Sequence, residues 1–202
     1  MNTPLTVPAS HSSQTAFGRR VLADFAPSTR AWDAIVITAA AAFVGLLAQV
    51  SYYVPGIVVP FTGQTLGVLL AAGALGTRRG SLSMALYGAL GIAGVPWLAG
   101  GAAGFPQYTF GYIIGFIAAA MVVGSFAERG WTRTPAGTIA TMALGTVTVY
   151  AFGVPWLASM LGNNWTAALT SGLVPFVAPD MVKVLIAAAL LPSTWALVER
   201  KK

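Results

Sequence analysis

The sequence predicts an all-α integral membrane protein with six membrane-spanning helices and both termini on the cytoplasmic side. Two observations carry this prediction. Of the 202 residues, 56% are hydrophobic and only 8% are charged, whereas a soluble domain carries about 25% charged residues. The charged residues are also clustered, which leaves three long uncharged stretches at residues 34–77, 80–127 and 134–179.

Each uncharged stretch is long enough for a helical hairpin, because one crossing takes about 20 mainly apolar residues. The return helix of the third hairpin continues past residue 179. Residues 34–198 are therefore expected to form one membrane domain, between an N-terminal arm (1–33) and a basic tail (199–202). The expected spans are Ile35–Tyr53, Phe61–Leu75, Ser81–Pro96, Tyr108–Ala127, Gly137–Leu161 and Val174–Val198.

The basic residues set the orientation of these helices. All of them except Lys183 lie between the hairpins or near the two chain ends. Cytoplasmic segments accumulate Lys and Arg, so both termini are expected inside and the hairpin tips, near 54–60, 97–107 and 162–173, outside. The net charge of +6 then follows from topology and gives no reason to expect a nucleic-acid partner.

The N-terminal arm lacks the apolar run of a signal peptide and is expected to be largely disordered or interfacial. Residues Phe17–Phe25 are a candidate for a short helix on the lipid surface, with Arg19 and Arg20 toward the headgroups. The chain has no Cys and one His, His11, in this arm, so we expect no metal site. It also lacks a phosphate-binding P-loop motif, so we expect no ATP hydrolysis by that route.

Asp180 and Lys183 are the two charged residues that topology does not explain. Three residues apart on a helix, they share one face, and ionised groups at this depth are costly unless they are paired or solvated. One interpretation is a structural salt bridge. The other is a polar ligand site, which Pro175 and Pro179 favour because a distorted helix start is tolerated where protein or a water-filled cavity satisfies the freed carbonyls. Such a site suits a small, flat, amphipathic solute. An enzyme is the least expected class, because the membrane segments contain no His, Cys or second acidic residue that could activate a nucleophile.

Four ordered stretches resemble the BioY family, the biotin-capture (S) subunits of energy-coupling-factor transporters. The first combines Gly45–Ser51 (GLLAQVS) with Val59–Thr65 (VPFTGQT), similar to the family's "VPFTxQT". The others are Leu75–Pro96, similar to "LGxxxGxLSxxxYLxLGxxGxPVF"; the glycines of Ala99–Gly101 ahead of Gly111-Tyr112; and Val174–Lys183 (VPFVAPDMVK), similar to "xPFxxxDxxK". The resemblance covers about residues 33–198.

The resemblance implies a six-helix subunit of the bacterial cytoplasmic membrane that binds biotin from outside and carries no catalytic residue. Its implied partners are biotin, the lipid bilayer, a transmembrane coupling subunit and two cytoplasmic ATPases. Small residues in the first helix, here Ala41 and Gly45, would either dock the coupling subunit or pack internally. The implied biotin-binding residues are Asp180, Lys183, Gln64, Tyr112, Gly100 and Gly101, with Lys183 facing either the ureido oxygen or the valerate carboxylate and the two glycines letting a lid-like tip close.

Three departures from the family pattern affect the site. Ala178-Pro179 stands where Pro-Gly is common, Gln107–Tyr112 replaces a glycine-rich "GPTGGY" element, and the tip Ala99–Gly104 is shorter than in many relatives. The alternatives to biotin capture are capture of another vitamin or a biotin precursor, and a structural membrane protein in which Asp180 and Lys183 form an internal salt bridge.

Overall fold

The computed structural model describes residues 21–25, 29–105 and 107–200, and this part of the chain is mostly helical. The sequence-based expectations for residues 1–20, including the arginines of the proposed surface helix, and for Lys201 and Lys202 lie outside the described residues. The elements are α1 (Arg30–Gln49), β1 (Ser51–Tyr52), β2 (Phe61–Thr62), α2 (Gln64–Ile92), α3 (Phe110–Glu128), α4 (Pro135–Met160), α5 (Trp165–Gly172) and α6 (Val177–Arg200).

The helices pack largely in chain order. Helix α2 packs against α1 and α3, α3 packs against α4, and α6 closes the bundle against α4 and α2. Strands β1 and β2 pair antiparallel in a short hairpin between α1 and α2. This hairpin, the 3-10 turn Ala99–Gly101 and helix α5 lie at the end of the bundle that the sequence assigns to the outside.

Four segments are long and apolar enough to cross a membrane. They are Arg30–Gln49, Phe110–Glu128, Pro135–Met160 and Trp165–Arg200, the last of which includes both α5 and α6. A helical protein with several apolar spans is the class that the composition predicts. Six crossings and the orientation of the termini remain predictions.

The second and third expected helices are both present and fold back on each other. The expected spans Phe61–Leu75 and Ser81–Pro96 largely correspond to the two helical segments of α2, which meet at Gly76, with φ 80° and ψ −174°. The segments run side by side, because Gln64 Nε2 donates to the Tyr87 hydroxyl at 2.7 Å and a Cβ on Gly80 would lie 3.1 Å from Ala72 Cα. Glycine adopts a positive φ without the steric cost that a side chain brings. Helix α3 passes close to this break, because a Cβ on Gly124 would lie 2.3 Å from the Thr77 backbone nitrogen.

The third expected hairpin differs from the structure at its tip. The span expected at Gly137–Leu161 is α4, but the expected tip at 162–173 contains helix α5, whose N-cap Asn164 accepts a hydrogen bond from Ala167 N at 2.9 Å. Helix α6 starts at Val177 after a 3-10 turn, so Pro179 lies in its first turn. Proline is tolerated there because the first-turn amides have no partner within the helix, and Pro179 therefore does not distort the helix as expected.

The other end of the bundle is held by charged contacts. Residues Leu22–Phe25 form a 3-10 turn, and Arg79 bridges this turn to α1 through Asp24 at 2.7 Å and Asp33 at 2.8 Å. Phe25 also contacts Trp195 of α6 edge-on, with ring centroids 5.8 Å apart. The described part of the proposed surface helix is thus a short turn held against the bundle.

Candidate functional site

A cavity of about 50 Å³ lies between α2, α3, α4 and α6, under the β hairpin and the Ala99–Gly101 turn. Its walls combine several polar side chains with apolar ones. The lining residues are Val59, Pro60, Thr62, Gln64, Thr65, Ala99, Thr109, Tyr112, Phe116, Val149, Tyr150, Gly172, Phe176, Asp180 and Lys183.

Asp180 and Lys183 form an ion pair in the wall of this cavity, one turn apart at the start of α6. Lys183 Nζ donates to Asp180 Oδ1 at 2.8 Å, and Asp180 is 4% exposed. Thr65, in the first turn of α2, joins them, since its hydroxyl accepts from Lys183 Nζ at 2.7 Å and donates to Asp180 Oδ1 at 3.2 Å. The pair expected from the sequence is thus part of a three-residue cluster, which we call the Asp180 cluster.

The second carboxylate oxygen of Asp180 faces another helix. Oδ2 accepts a hydrogen bond from the phenol of Tyr150, in the second half of α4. Sequence reasoning singled out neither Tyr150 nor Thr65. Thr65 ends the quoted VPFTGQT stretch and could have been found there, whereas Tyr150 lies in an apolar helix without any motif to mark it.

Gln64 begins α2 and lines the cavity as expected, but both ends of its amide have partners within the protein. Its Nε2 donates to the Tyr87 hydroxyl at 2.7 Å, and its Oε1 accepts from Thr62 Oγ1 at 3.0 Å. The Tyr87 hydroxyl in turn lies 3.3 Å from the carbonyl oxygen of Trp97, to which it donates. Gln64 thereby connects the β hairpin to the chain leading into the Ala99–Gly101 turn.

Tyr112, on α3, also lines the cavity. Its hydroxyl donates to the Gly172 carbonyl at 2.7 Å, at the end of α5. The ring lies flat against α4 because Gly153 has no side chain there, and a Cβ at Gly153 would be 2.4 Å from Tyr112 Cδ1. Tyr112 therefore presents mainly its ring to the cavity.

Gly100 and Gly101 lie above the cavity and do not line it. Both have positive φ, 65° and 79°, and Gly100 sits under the ring of Tyr53, whose hydroxyl donates to the Ala99 carbonyl at 3.4 Å. Gln49, at the end of α1, holds the same turn through Nε2, which donates to the Trp97 carbonyl at 3.2 Å. The turn is thus fixed to α1 and to the β hairpin.

Ala41 and Gly45 face the interior of the bundle. Ala41 is 0% exposed, and a Cβ at Gly45 would lie 2.9 Å from the indole ring of Trp97. Both residues thus contact other parts of this chain, and docking of a partner through them stays a prediction.

The site can bind a small ligand through complementary polar groups. The Asp180 cluster supplies acceptor and donor atoms side by side, while Phe176, stacked on Phe61 with centroids 4.4 Å apart, and Phe116 supply apolar wall. Among the residues that the structure describes, no group of three or more His, Cys, Asp or Glu could hold a metal ion.

Fold and cavity together define a helical membrane protein with a small, largely buried candidate ligand site near one end of its bundle. A family model described as "BioY family" matches residues 19–200. The chain belongs to this family.

Curated relatives cover most of the membrane region. The chain is 36% identical over 157 residues to "Biotin transporter BioY" of Rhizobium etli, covering 72% of this chain and 82% of that protein. It is 39% identical over 148 residues to "Biotin transporter BioY" of Rhodobacter capsulatus, covering 65% and 76% of the two chains.

A solved structure has the same fold. It is the crystal structure of "the S-component for biotin from an ECF-type ABC transporter", with a TM-score of 0.69, 23% identity and coverage of 87% of this chain and 96% of that one. At this identity the likeness supports the fold alone.

Proposed function

We propose that this chain is the biotin-binding S subunit of a biotin uptake transporter of the bacterial cytoplasmic membrane. The observation that carries the proposal is the Asp180 cluster, in which a buried carboxylate and an ammonium group lie 2.8 Å apart in a cavity wall. The names of the relatives in Rhizobium etli and Rhodobacter capsulatus support biotin as the ligand. The protein binds and delivers its ligand and does no chemistry on it.

The cluster matches the ureido ring of biotin. That ring presents N–H donors next to a carbonyl acceptor, so a carboxylate oxygen of Asp180 accepts from an N–H while Lys183 donates to the ureido oxygen. Because Lys183 already lies beside Asp180, this arrangement uses both residues on adjacent ligand atoms. The valerate carboxylate then points away from Asp180, toward the part of the cavity nearer Gln64 and Tyr112.

Entry of biotin requires the cavity to enlarge. The cavity measures about 50 Å³, whereas pockets for small-molecule ligands usually occupy about 300–1,000 Å³. The β hairpin and the Ala99–Gly101 turn lie over the cavity and are joined mainly by side-chain contacts such as Tyr53 to Ala99. We propose that these outer segments separate to admit biotin and close over it, with Gly100 and Gly101 supplying the backbone freedom.

The transport cycle needs partners, because the sequence has no P-loop motif. We propose that a transmembrane coupling subunit and two cytoplasmic ATPases supply the energy and that the bundle reorients when they act. Membership of the BioY family supports this assembly, because the family resemblance implies these partners. Six crossings with both termini inside, as the distribution of Lys and Arg indicates, complete the proposed topology.

Calorimetric titration of the purified protein with biotin tests the proposal. We expect near-stoichiometric binding, with affinity reduced by at least about 2 kcal/mol, or about 30-fold, in Asp180→Asn and in Lys183→Ala, because each leaves a buried partner unpaired. Wild-type affinity in both variants would contradict the site. Preferential displacement of labelled biotin by a precursor or another vitamin would instead reassign the ligand, and no binding at all would favour an internal salt bridge.

A further inference from the structure

The two oxygens of the Asp180 carboxylate are held in different ways. Oδ1 accepts from Lys183 Nζ at 2.8 Å and from Thr65 Oγ1 at 3.2 Å, whereas the donor to Oδ2 is the phenol of Tyr150. We propose that Tyr150 is a place-holding donor. Its hydroxyl donates a hydrogen bond to Oδ2 in the ligand-free protein, and an N–H group of the ligand displaces it from that oxygen. This assignment deepens the proposed function and rests on it, since it concerns the same site.

Oδ2 needs a donor whether or not ligand is bound. Asp180 is 4% exposed, and a buried carboxylate oxygen without a hydrogen bond is strongly destabilising. A phenol O–H and a ureido N–H can each fill the one position, so exchanging them keeps the carboxylate satisfied in both states.

Tyr150 is easier to displace than the donors to Oδ1. Lys183 and Thr65 are hydrogen-bonded to each other at 2.7 Å as well as to Asp180. Displacing either one would therefore break two hydrogen bonds of the cluster. Tyr150 is held to the cluster by its single hydrogen bond to Oδ2. A ligand that takes this position therefore disturbs the fewest contacts.

The structure also offers Tyr150 a place to go. Tyr150 and Asp180 are the two residues that line both the cavity and a second, apolar groove of about 410 Å³ between α4 and α6. The phenol ring thus separates the two spaces, and a turn of the ring toward the groove enlarges the cavity. Thr146, one helical turn earlier, lines this groove and can accept the displaced phenol hydrogen, since its own hydroxyl donates to the Met142 carbonyl at 3.0 Å.

The exchange selects for the chemistry of the ligand. A ligand with an N–H donor replaces the phenol at no loss of hydrogen bonding. A ligand of similar shape that offers only acceptors or apolar atoms at this position cannot replace it and must fit beside the phenol in the smaller cavity. Tyr150 is therefore a specificity-determining residue for N–H donors.

Biotin titration of Tyr150→Phe tests the assignment, with the full-length protein in detergent. The variant loses a hydrogen bond to a charged oxygen before binding and only the weaker, neutral bond to Thr146 after it, so we expect biotin to bind about threefold to tenfold more tightly. The matched control is Tyr112→Phe, which removes a hydroxyl that donates to the Gly172 carbonyl and not to Asp180. This variant should not bind biotin more tightly. Unchanged or weaker binding by Tyr150→Phe would overturn the place-holding role. Failure of the unaltered protein to bind biotin would instead refute the proposed function.

An experimental structure of the unaltered protein with biotin gives a second test, which holds even if Tyr150→Phe folds poorly. We expect a ligand nitrogen within hydrogen-bonding distance of Asp180 Oδ2 and the phenol oxygen more than about 3.5 Å from it. A phenol that is still bonded to Oδ2 in that complex would overturn the assignment.

Discussion

The carboxylate of Glu128, at the end of α3, accepts a hydrogen bond at 2.7 Å from the backbone amide of Thr77. This amide follows directly on the positive-φ residue Gly76, at the break in α2. Because the break removes the helical acceptor that Thr77 would otherwise use, Glu128 replaces it. The contact caps the helical segment that starts at Thr77, where α2 turns back on itself without a loop.

Replacing Glu128 should therefore reduce stability without affecting the ligand site. We expect Glu128→Ala to lower the free energy of unfolding by about 1.5–3 kcal/mol, the contribution of a hydrogen bond to a charged group. Glu128→Gln, which keeps a side-chain oxygen, should lose less. Thermal unfolding in detergent measures the stability, and biotin titration should give the same affinity in all three proteins because Glu128 lies at the opposite end of α3 from the cavity. Equal stability of the alanine variant would contradict the capping role.

The hydroxyl of Thr65 should be required for biotin binding. Thr65→Val keeps the branched shape but removes both the acceptor for Lys183 and the donor to Asp180. We expect the Kd for biotin to rise by about tenfold or more, since two hydrogen bonds to charged groups are lost. Thr65→Ser keeps the hydroxyl and should retain most of the affinity. Equal affinities in the valine and serine variants would show that Thr65 does not organise the cluster.

Gly100 should be sensitive to a side chain in a way that Gly56 is not. Both have positive φ, so alanine costs about 1–2 kcal/mol of backbone strain at either position. At Gly100 a Cβ would also lie 2.4 Å from the Tyr53 hydroxyl, whereas nothing lies within 4 Å of one at Gly56. We expect Gly100→Ala to weaken biotin binding more than Gly56→Ala, with partial rescue by Gly100→Ala/Tyr53→Phe. Identical effects of the two glycine variants would argue against a role for this contact in closure.

Gln64 should affect stability more than affinity. Gln64→Leu removes the partner of Thr62 and of Tyr87, so we expect a loss of about 1–3 kcal/mol in unfolding free energy and a smaller loss of biotin affinity than in Asp180→Asn. Tyr87→Phe is the matched control, since it breaks the same chain of hydrogen bonds outside the cavity. A loss of binding in Gln64→Leu as large as in Asp180→Asn, at unchanged stability, would instead indicate direct contact with biotin.

Removing both charges of the site should separate binding from folding. We expect Asp180→Leu/Lys183→Met to abolish biotin binding while losing little stability, because removing the cost of a buried ion pair offsets the hydrogen-bond partner that the Thr65 and Tyr150 hydroxyls lose. Asp180→Leu alone should be clearly destabilised, since it leaves the Lys183 ammonium without its carboxylate. Retained binding in the double variant would refute the site.

Charge positions along the sequence predicted the helical membrane class and isolated the Asp180–Lys183 pair. The same charges marked the turn between the second and third expected helices at Arg78-Arg79, close to the break at Gly76. They did not predict that this turn lacks a loop, which is possible because Glu128 accepts from the Thr77 amide and Asp24 and Asp33 neutralise Arg79. Those partners are distant in sequence, so local patterns do not reveal them.

Tyr150 shows a second limit of sequence reasoning. Its role depends on the rotation of α4 against α6, which brings a residue 30 positions away onto Asp180. The surrounding sequence is mainly apolar and its threonines, Thr141, Thr146 and Thr148, do not share one face, so it carries little information about which face of α4 turns inward. A polar residue in such a helix is recognised as part of a site only when the packing is known.

The opposite charges of Asp180 and Lys183 also have an electrical consequence. Separated by 2.8 Å, they carry no net charge as a pair, so in the proposed cycle the membrane potential would do almost no work on the empty site. Biotin adds one negative charge through its valerate, and moving one elementary charge through the full potential changes the free energy by about 2.3 kcal/mol per 100 mV. In a cell with a negative interior, the voltage would therefore oppose the inward movement of the loaded site and act only weakly on the return of the empty site.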